Sequence, residues 1–437
     1  MKPEIFTLIN GLTVIFVDTK TFPTLTTLLL IGAGSRYENK ENNGIAHFLE
    51  HMFFKGSKKY PTPEIVSTTI EGLGGVWNAF TSKHYTGYYI KGASEHFEKM
   101  VDILSDILLQ PKFEEKEILK EKGVVIEEIN MYEDQPQARV GELFENLIYV
   151  GNPLGMDVIG KKETVNNFSR QTIIDYRESL YRPNNAVLIV AGGLQQKYQK
   201  LNIKNKKYIS NIKNYLETIK KKFNEWENGR TGDFIKVTKS QIKPQTLIYN
   251  KKTEQAHFCL GFRTFGIKDK RKYVLSVLAT ILGGGASSRL FVEVREKRGL
   301  CYYIHTGREL YQETGYLVTQ AGVVKDEDKI KQAIDAVLAE HKKIYQKGIP
   351  DKELAKAKEM IKGRMLLSME DSFNVASFFG FRKLLEKKLI SPEEAIAKIE
   401  KVSAKEVVDL AKEIFIPKRL NLSIIGPLEK KDFRLTM

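Results

Sequence analysis

The chain has 437 residues, 42% hydrophobic and 28% charged, a length past the ~250–300 at which one hydrophobic core stops growing, so two or more domains are expected. No apolar run approaches the ~20 residues that span a bilayer. The amino end has no basic segment followed by a long apolar core, and Cys259 and Cys301 make neither a disulfide framework nor a thiolate metal site, so a soluble, cytoplasmic protein without a membrane partner is expected. The net charge of +15 is mostly lysine scattered on helical stretches, without a nucleic-acid motif. It reads as solvated surface, and no nucleic-acid partner is expected.

In chain order, "LTVIFVDT" from Leu12 and "TLTTLLLIGAG" from Thr24 are rich in β-branched and aliphatic residues and end in turn signals, which predicts strands. A helix around His47 comes next. "GVWNAFTSKHYTGYYIKGA" from Gly75 predicts a strand pair, followed by a helix "EHFEKMVDILSDILLQ" stopped by Pro111 and a longer helix from about Glu114 to Met131. The half closes on the strand "AVLIVAGG" from Ala186.

That ending recurs. "YRPNNAVLIVAGGL" from Tyr181 and "FIPKRLNLSIIGPL" from Phe415 align without gaps at an offset of 234 residues. "TGYY" at Thr86 and "TGYL" at Thr314, and "FEEKEILKEK" at Phe113 and "IPDKELAKAK" at Ile349, repeat at similar offsets. The chain therefore reads as internally duplicated. The expected domains are residues 1–200, a lysine-rich helical linker at 201–232, and residues 233–437.

Two of the seven histidines stand in "HFLEH", as His47 and His51, with Glu50 between them. On a helix these positions are i, i+3 and i+4, so all three side chains rise from one face, and two imidazoles can share a cation. H-x-x-E-H is the inverted form of the zinc metalloprotease helix, in which the carboxylate is the general base. Zinc in a hydrolytic site needs a third protein ligand. In "EKGVVIEEINMYEDQP" Glu121 and Glu128 are seven apart, a rotation of about 700°, and share a stripe with Val124 and Val125. Glu127 falls about 100° away, beside Lys120 and Gly123 on the face expected to meet water. Glu128 is therefore the expected ligand, and Glu121 the carboxylate behind it that orients a ligand histidine.

"HFLEH", "NAFTSKHYTGYY" and "EKGVVIEEINMYEDQP", followed by "SSRLFVEVREKRGLCYY", closely resemble the pitrilysin or insulinase family of inverzincin peptidases over nearly the whole chain. The resemblance implies an α+β fold of two homologous domains, each an antiparallel-dominated sheet packed with helices, arranged as a clamshell around a chamber. It implies one Zn²⁺ per chain, cleavage of extended or unfolded peptides, and, from the short branch of the family, a homodimer. In that family the second ligand helix also carries two glutamates seven apart, the later one on zinc. "NAFTS" resembles the substrate-binding edge strand, so Asn78, Ala79 and Phe80 are implied to contact peptide by strand addition.

The second copy has no histidine where the first has its zinc helix, and at offset 236 Glu128 falls on Arg364. It carries Arg295 and Tyr302 instead, matching an arginine and tyrosine that in the family reach the scissile peptide, a role suited to stabilising an oxyanion. "GGGASS" at Gly283 lacks the G-K-[ST] of a phosphate loop and reads as a turn. His84, where relatives commonly have glutamate, is expected on the surface of a strand. His257, His305 and His341 are expected to be structural. The competing reading is a non-proteolytic peptide-binding or scaffold subunit, which the intact His47, Glu50, His51 and Glu128 argue against.

Overall fold

A computed structural model of the chain describes residues 1–194, 206–238, 241–428 and 433. Its strands are β1 (Glu4–Thr7), β2 (Thr13–Asp18), β3 (Thr24–Ile31), β4 (Val76–Thr81), β5 (Thr86–Ala93), β6 (Ala186–Gly192), β7 (Gln245–Asn250), β8 (Gln255–Phe265), β9 (Cys301–Leu310), β10 (Thr314–Val324) and β11 (Leu420–Gly426). Its α-helices are α1 (Ile45–Met52), α2 (Pro63–Glu71), α3 (Phe97–Leu109), α4 (Glu115–Glu133), α5 (Pro136–Ile148), α6 (Lys162–Asn167), α7 (Arg170–Leu180), α8 (Lys206–Phe223), α9 (Lys272–Gly283), α10 (Glu327–Lys347), α11 (Asp351–Ser368), α12 (Ser372–Phe381), α13 (Pro392–Glu400) and α14 (Ala404–Ile414).

Two compact units interleave along the sequence. The first is Met1–Ile129, Met156–Ile235 and Leu366–Pro392; the second is Asn130–Gly155, Lys236–Met365 and Glu393–Met437. The first holds a six-stranded sheet in the order β1-β2-β6-β3-β5-β4, the second a five-stranded sheet in the order β7-β11-β8-β10-β9. With β1 set aside the orders correspond strand for strand. Each sheet has its parallel pair at the same place, β2 with β6 and β7 with β11, and is antiparallel elsewhere. The repeats seen in the sequence fall on equivalent elements: β6 and β11, β5 and β10, α4 and α11.

The units are not contiguous halves, and the reason is burial. β3 and β6 are buried along nearly their whole length, so the sheet needs cover on both faces. One face is covered by a helix from far along the chain: Val375, Ala376 and Phe379 of α12 pack on Leu28, Leu30 and Ile189. Gly380 permits the approach, since a Cβ there would stand 2.6 Å from a methyl of Leu30. α5 does the same in the second unit, where Val140, Leu143 and Phe144 pack on Cys259 and Ile425.

Of the expected linker, residues 201–205 lie outside the described residues, as do 195–200 at the end of the expected first domain. The rest of it is no free connector. α8 belongs to the first unit, with Tyr215 4.2 Å from the Phe97 ring and Ile219 and Phe223 fully buried. Past its end, Trp226 Nε1 donates to the Tyr181 carbonyl at 3.0 Å.

Candidate active site

α1 begins after Gly44, whose φ of 96° is in the left-handed region and where a Cβ would meet the Ile159 carbonyl oxygen at 2.7 Å. No side chain next to the helix caps it. Glu38, buried at 3% exposure, reaches back instead: one oxygen accepts from the Gly44 N–H at 2.8 Å and from Asn43 Nδ2 at 2.9 Å, the other from the Ala46 N–H at 2.9 Å. Burial pushes this carboxyl up to about 7, against the three donors and nearby Lys83, which pull it down. Glu38→Ala strands buried N–H groups, so it should lower unfolding free energy by about 1–3 kcal/mol and weaken zinc retention. Glu38→Gln keeps an acceptor and should lose less. Equal melting temperatures and zinc contents for all three proteins would contradict this role.

Ile45, Phe48, Leu49 and Met52 bury one face of α1 and leave His47, Glu50 and His51 on the other. α4 supplies Glu121 and Glu128. Glu128 Oε2 lies 3.7 Å from His47 Nε2 and 3.5 Å from His51 Nε2, and the imidazole centroids are 4.7 Å apart. These spacings are too long for strong hydrogen bonds. Zinc bonds of about 2.0–2.1 Å to nitrogen and oxygen put tetrahedral ligand atoms about 3.3–3.4 Å apart, within a few tenths of an ångström of both distances. Among the described residues, His47, His51 and Glu128 are the one group of three such donors that could hold a metal ion. Burial pushes the His47 imidazole down to about 3, so it is neutral at pH 7, as a ligand must be. The donor set fits zinc.

Glu121 lies behind this set at 2% exposure, one oxygen 2.8 Å from His51 Nδ1 and the other 2.6 Å from Lys55 Nζ. Desolvation is the largest influence on it and raises its pKa, but His51 and Lys55 outweigh it and hold the carboxyl below its ordinary value. Ionised, it fixes the His51 proton on Nδ1 and leaves Nε2 free to face Glu128. Glu127 is exposed. One detail of the helical stripe differs: Val125 is fully buried but Val124 is 48% exposed, because it falls on the opposite side of Glu121.

Glu50 is not one of the three converging donors. Its Oε2 accepts from Thr81 Oγ1 at 2.5 Å, at the end of β4. Burial, the largest influence, raises its pKa; Thr81 and His51 pull it down, Glu128 pushes it up, and the net displacement is upward. β4 is the last strand of its sheet. Asn78 is exposed, Ala79 is half-buried, and Phe80 stands edge-on to Phe373 and Phe381.

Within the second unit Arg295 and Tyr302 are neighbours, the guanidinium 5.9 Å from the Tyr302 ring centroid and 4.5 Å from that of Phe291. Arg295 stands in a π-helical turn, Phe291–Glu296. Tyr302 is the extra residue of a β-bulge: Val323 pairs with Cys301 and Gly322 with Tyr303, and its side chain is 73% exposed. Such irregularities re-aim side chains and recur at functional sites. Arg364, in register with Glu128, donates to the Gly284 carbonyl at 2.7 Å. Gly283 closes against the next strand, where a Cβ would meet the Thr306 nitrogen at 2.3 Å, so the glycine run serves packing.

Glu38, Lys55 and Thr81 are the residues that sequence reasoning missed. For Lys55 a signal existed, since a buried Glu121 needs a cation besides a histidine. His84 is a correction: it lies in the turn between β4 and β5 rather than on a strand, and it is buried at 4%, its Nε2 2.9 Å from the Arg36 guanidinium and its ring edge-on to Phe234. His257 bonds the Tyr303 hydroxyl at 3.0 Å, and His341 stacks on Phe415.

A duplicated α+β fold with an H-x-x-E-H helix and a glutamate from a second helix is the scaffold of an inverzincin-type peptidase. Residues 13–162 match the domain described as insulinase (peptidase family M16), and residues 167–361 match the peptidase M16 inactive domain. The chain belongs to peptidase family M16. It is 34% identical over 423 residues to YmxG of Bacillus subtilis, described as an uncharacterized zinc protease, covering 97% of this chain and 98% of that one. A Rickettsia felis protein of the same description is 31% identical, covering 97% of each. The crystal structure of a protease from Helicobacter pylori superposes with a TM-score of 0.86 at 25% identity, covering 98% of this chain and 99% of that one. Among the described residues no helix is long and apolar enough to cross a membrane.

Proposed function

We propose that this chain is a zinc-dependent endopeptidase that cuts extended peptides laid along the free edge of β4. The observation that carries the reading is the meeting of His47 Nε2, His51 Nε2 and Glu128 Oε2 beside a fourth side chain, Glu50, that stands outside this group. Zinc held by those three atoms would polarise a water molecule for attack on a peptide carbonyl. Glu50 accepts the proton of the attacking water and returns it to the leaving amine. Thr81 orients the Glu50 carboxylate, and Glu121 with Lys55 orients His51. The main chain of β4 holds the peptide by strand addition, which reads little side-chain chemistry and suits a broad range of unfolded substrates.

The second unit contributes Arg295 and Tyr302 to the developing oxyanion across an enclosed chamber, and two copies pair as a homodimer. Both statements rest on the family resemblance. Tyr302→Phe should lower kcat ~10²-fold while zinc content and peptide affinity stay near wild type, because the contact is made mainly in the transition state. Unchanged turnover would reduce the second unit to a wall of the chamber. The reading as a whole is tested with a quenched, unstructured peptide: cleavage that stops with a chelator supports it, and cleavage indifferent to the chelator refutes it.

A further inference from the structure

Beside the start of β4 the first unit has a cleft of about 660 Å³, lined among others by Leu73, Val76, Tyr89, Lys91, Asp371 and Phe373. Its walls are mostly apolar, with an ion pair among them: Tyr89 and Phe373 have ring centroids 4.3 Å apart, and Val76 is 61% exposed. Lys91 Nζ and Asp371 Oδ2 pair at 2.5 Å, and the other Asp371 oxygen caps α12 through the Phe373 N–H at 2.7 Å.

The register of β4 connects this cleft to the candidate active site. Trp77 packs on Phe54, just past α1, at 4.5 Å, and Thr81 bonds Glu50, so alternation puts Trp77, Ala79 and Thr81 on the zinc-helix face. Val76, Asn78 and Phe80 point to the α12 face, with Val76 opposite Lys91 and Asn78 opposite Tyr89. Just past β4 the Ser82 N–H donates to the Tyr85 carbonyl at 2.8 Å, so by antiparallel alternation the main chain of Phe80, Asn78 and Val76 bonds β5, and the Ala79 N–H donates to Asn78 Oδ1 at 2.8 Å. The main chain at Trp77, Ala79 and Thr81 therefore faces the free edge.

We propose that this cleft is a subsite that takes an aromatic side chain of the peptide about five residues from the bond that is cut; the proposal rests on the endopeptidase reading. Thr81 touches Glu50, so the scissile bond lies at that end of β4. Val76 is five residues earlier, about 16 Å away at ~3.3 Å per residue. A peptide residue opposite Val76 turns its side chain to the cleft face with its Cβ about 4.5–5.5 Å from that of Val76. The apolar walls and the two rings at 4.3 Å favour a Phe or Tyr ring packed edge-on or offset against them, and the volume suffices for one.

The test uses the full chain with zinc and a set of unstructured Gly/Ser/Ala peptides, each with a single Phe at a different position, and reads the cut bonds by mass spectrometry. Cuts should cluster four to six residues from the Phe, and kcat/KM should exceed that of the Phe-free peptide about tenfold. Val76→Asp, at a position exposed enough to tolerate it, should bring that ratio close to one and scatter the cuts. Leu73→Asp provides an independent second variant. Cuts that ignore the Phe position, or a ratio unchanged in both variants, overturn the subsite and leave the endopeptidase reading standing. If no peptide is cut, both fall together.

Discussion

Glu50→Gln is expected to retain zinc and to lose ~10²–10⁴-fold or more in turnover. The three atoms that converge belong to His47, His51 and Glu128, so removing the charge of Glu50 takes nothing from the metal. Glutamine has the shape of glutamate and can still accept from Thr81 Oγ1, now at 2.5 Å from Oε2. Packing is therefore preserved, and only the basic oxygen that takes the proton is lost. Metal analysis alongside peptide turnover separates the alternatives. Near-full turnover would remove Glu50 from the chemistry, and lost zinc would make it a ligand.

Glu128→Gln is expected to strip most of the zinc from the purified chain, Glu121→Gln to weaken binding ~10–100-fold, and Glu127→Gln to do little. The order follows from position. Glu128 Oε2 lies 3.5 and 3.7 Å from the two imidazole nitrogens, Glu121 touches the metal set only through His51 Nδ1, and Glu127 is exposed. Glutamine at 121 has one acceptor oxygen where Glu121 serves both His51 and Lys55, so one of these donors faces an NH2 group and a fall in melting temperature should accompany the weaker binding. Zinc content per chain decides the order. A larger loss in Glu127→Gln than in Glu128→Gln would refute it.

What was legible in the sequence is what the local helix and strand periods determine. His47, Glu50 and His51 share a face through their spacing alone, and the seven-residue step from Glu121 to Glu128 brings both to the same side of α4. The strand order repeated itself because the sequence had, at β6 and β11 above all. The contacts that complete the site were hidden because they join segments far apart in the chain. Thr81 meets Glu50 across 31 residues and Lys55 meets Glu121 across 66. Nothing in the composition of α12 says that it covers β3, more than 340 residues away, as the hydrogen bond between Thr26 and Ser372 records. His84 was misread for the same reason: it lies in the turn between β4 and β5 beside polar Ser82 and Lys83, and its partner Arg36 lies on another segment. The bulge at Tyr302 is a matter of register between β9 and β10, which a single strand does not reveal.

The central claim, that one zinc on His47, His51 and Glu128 makes this chain a peptidase, is tested most directly by titrating the metal-free protein with zinc while following cleavage of a quenched unstructured peptide. Turnover should start near zero, rise in proportion to the zinc bound and level off at about one zinc per chain. Full turnover in the metal-free protein, or zinc binding that brings no turnover, would contradict it.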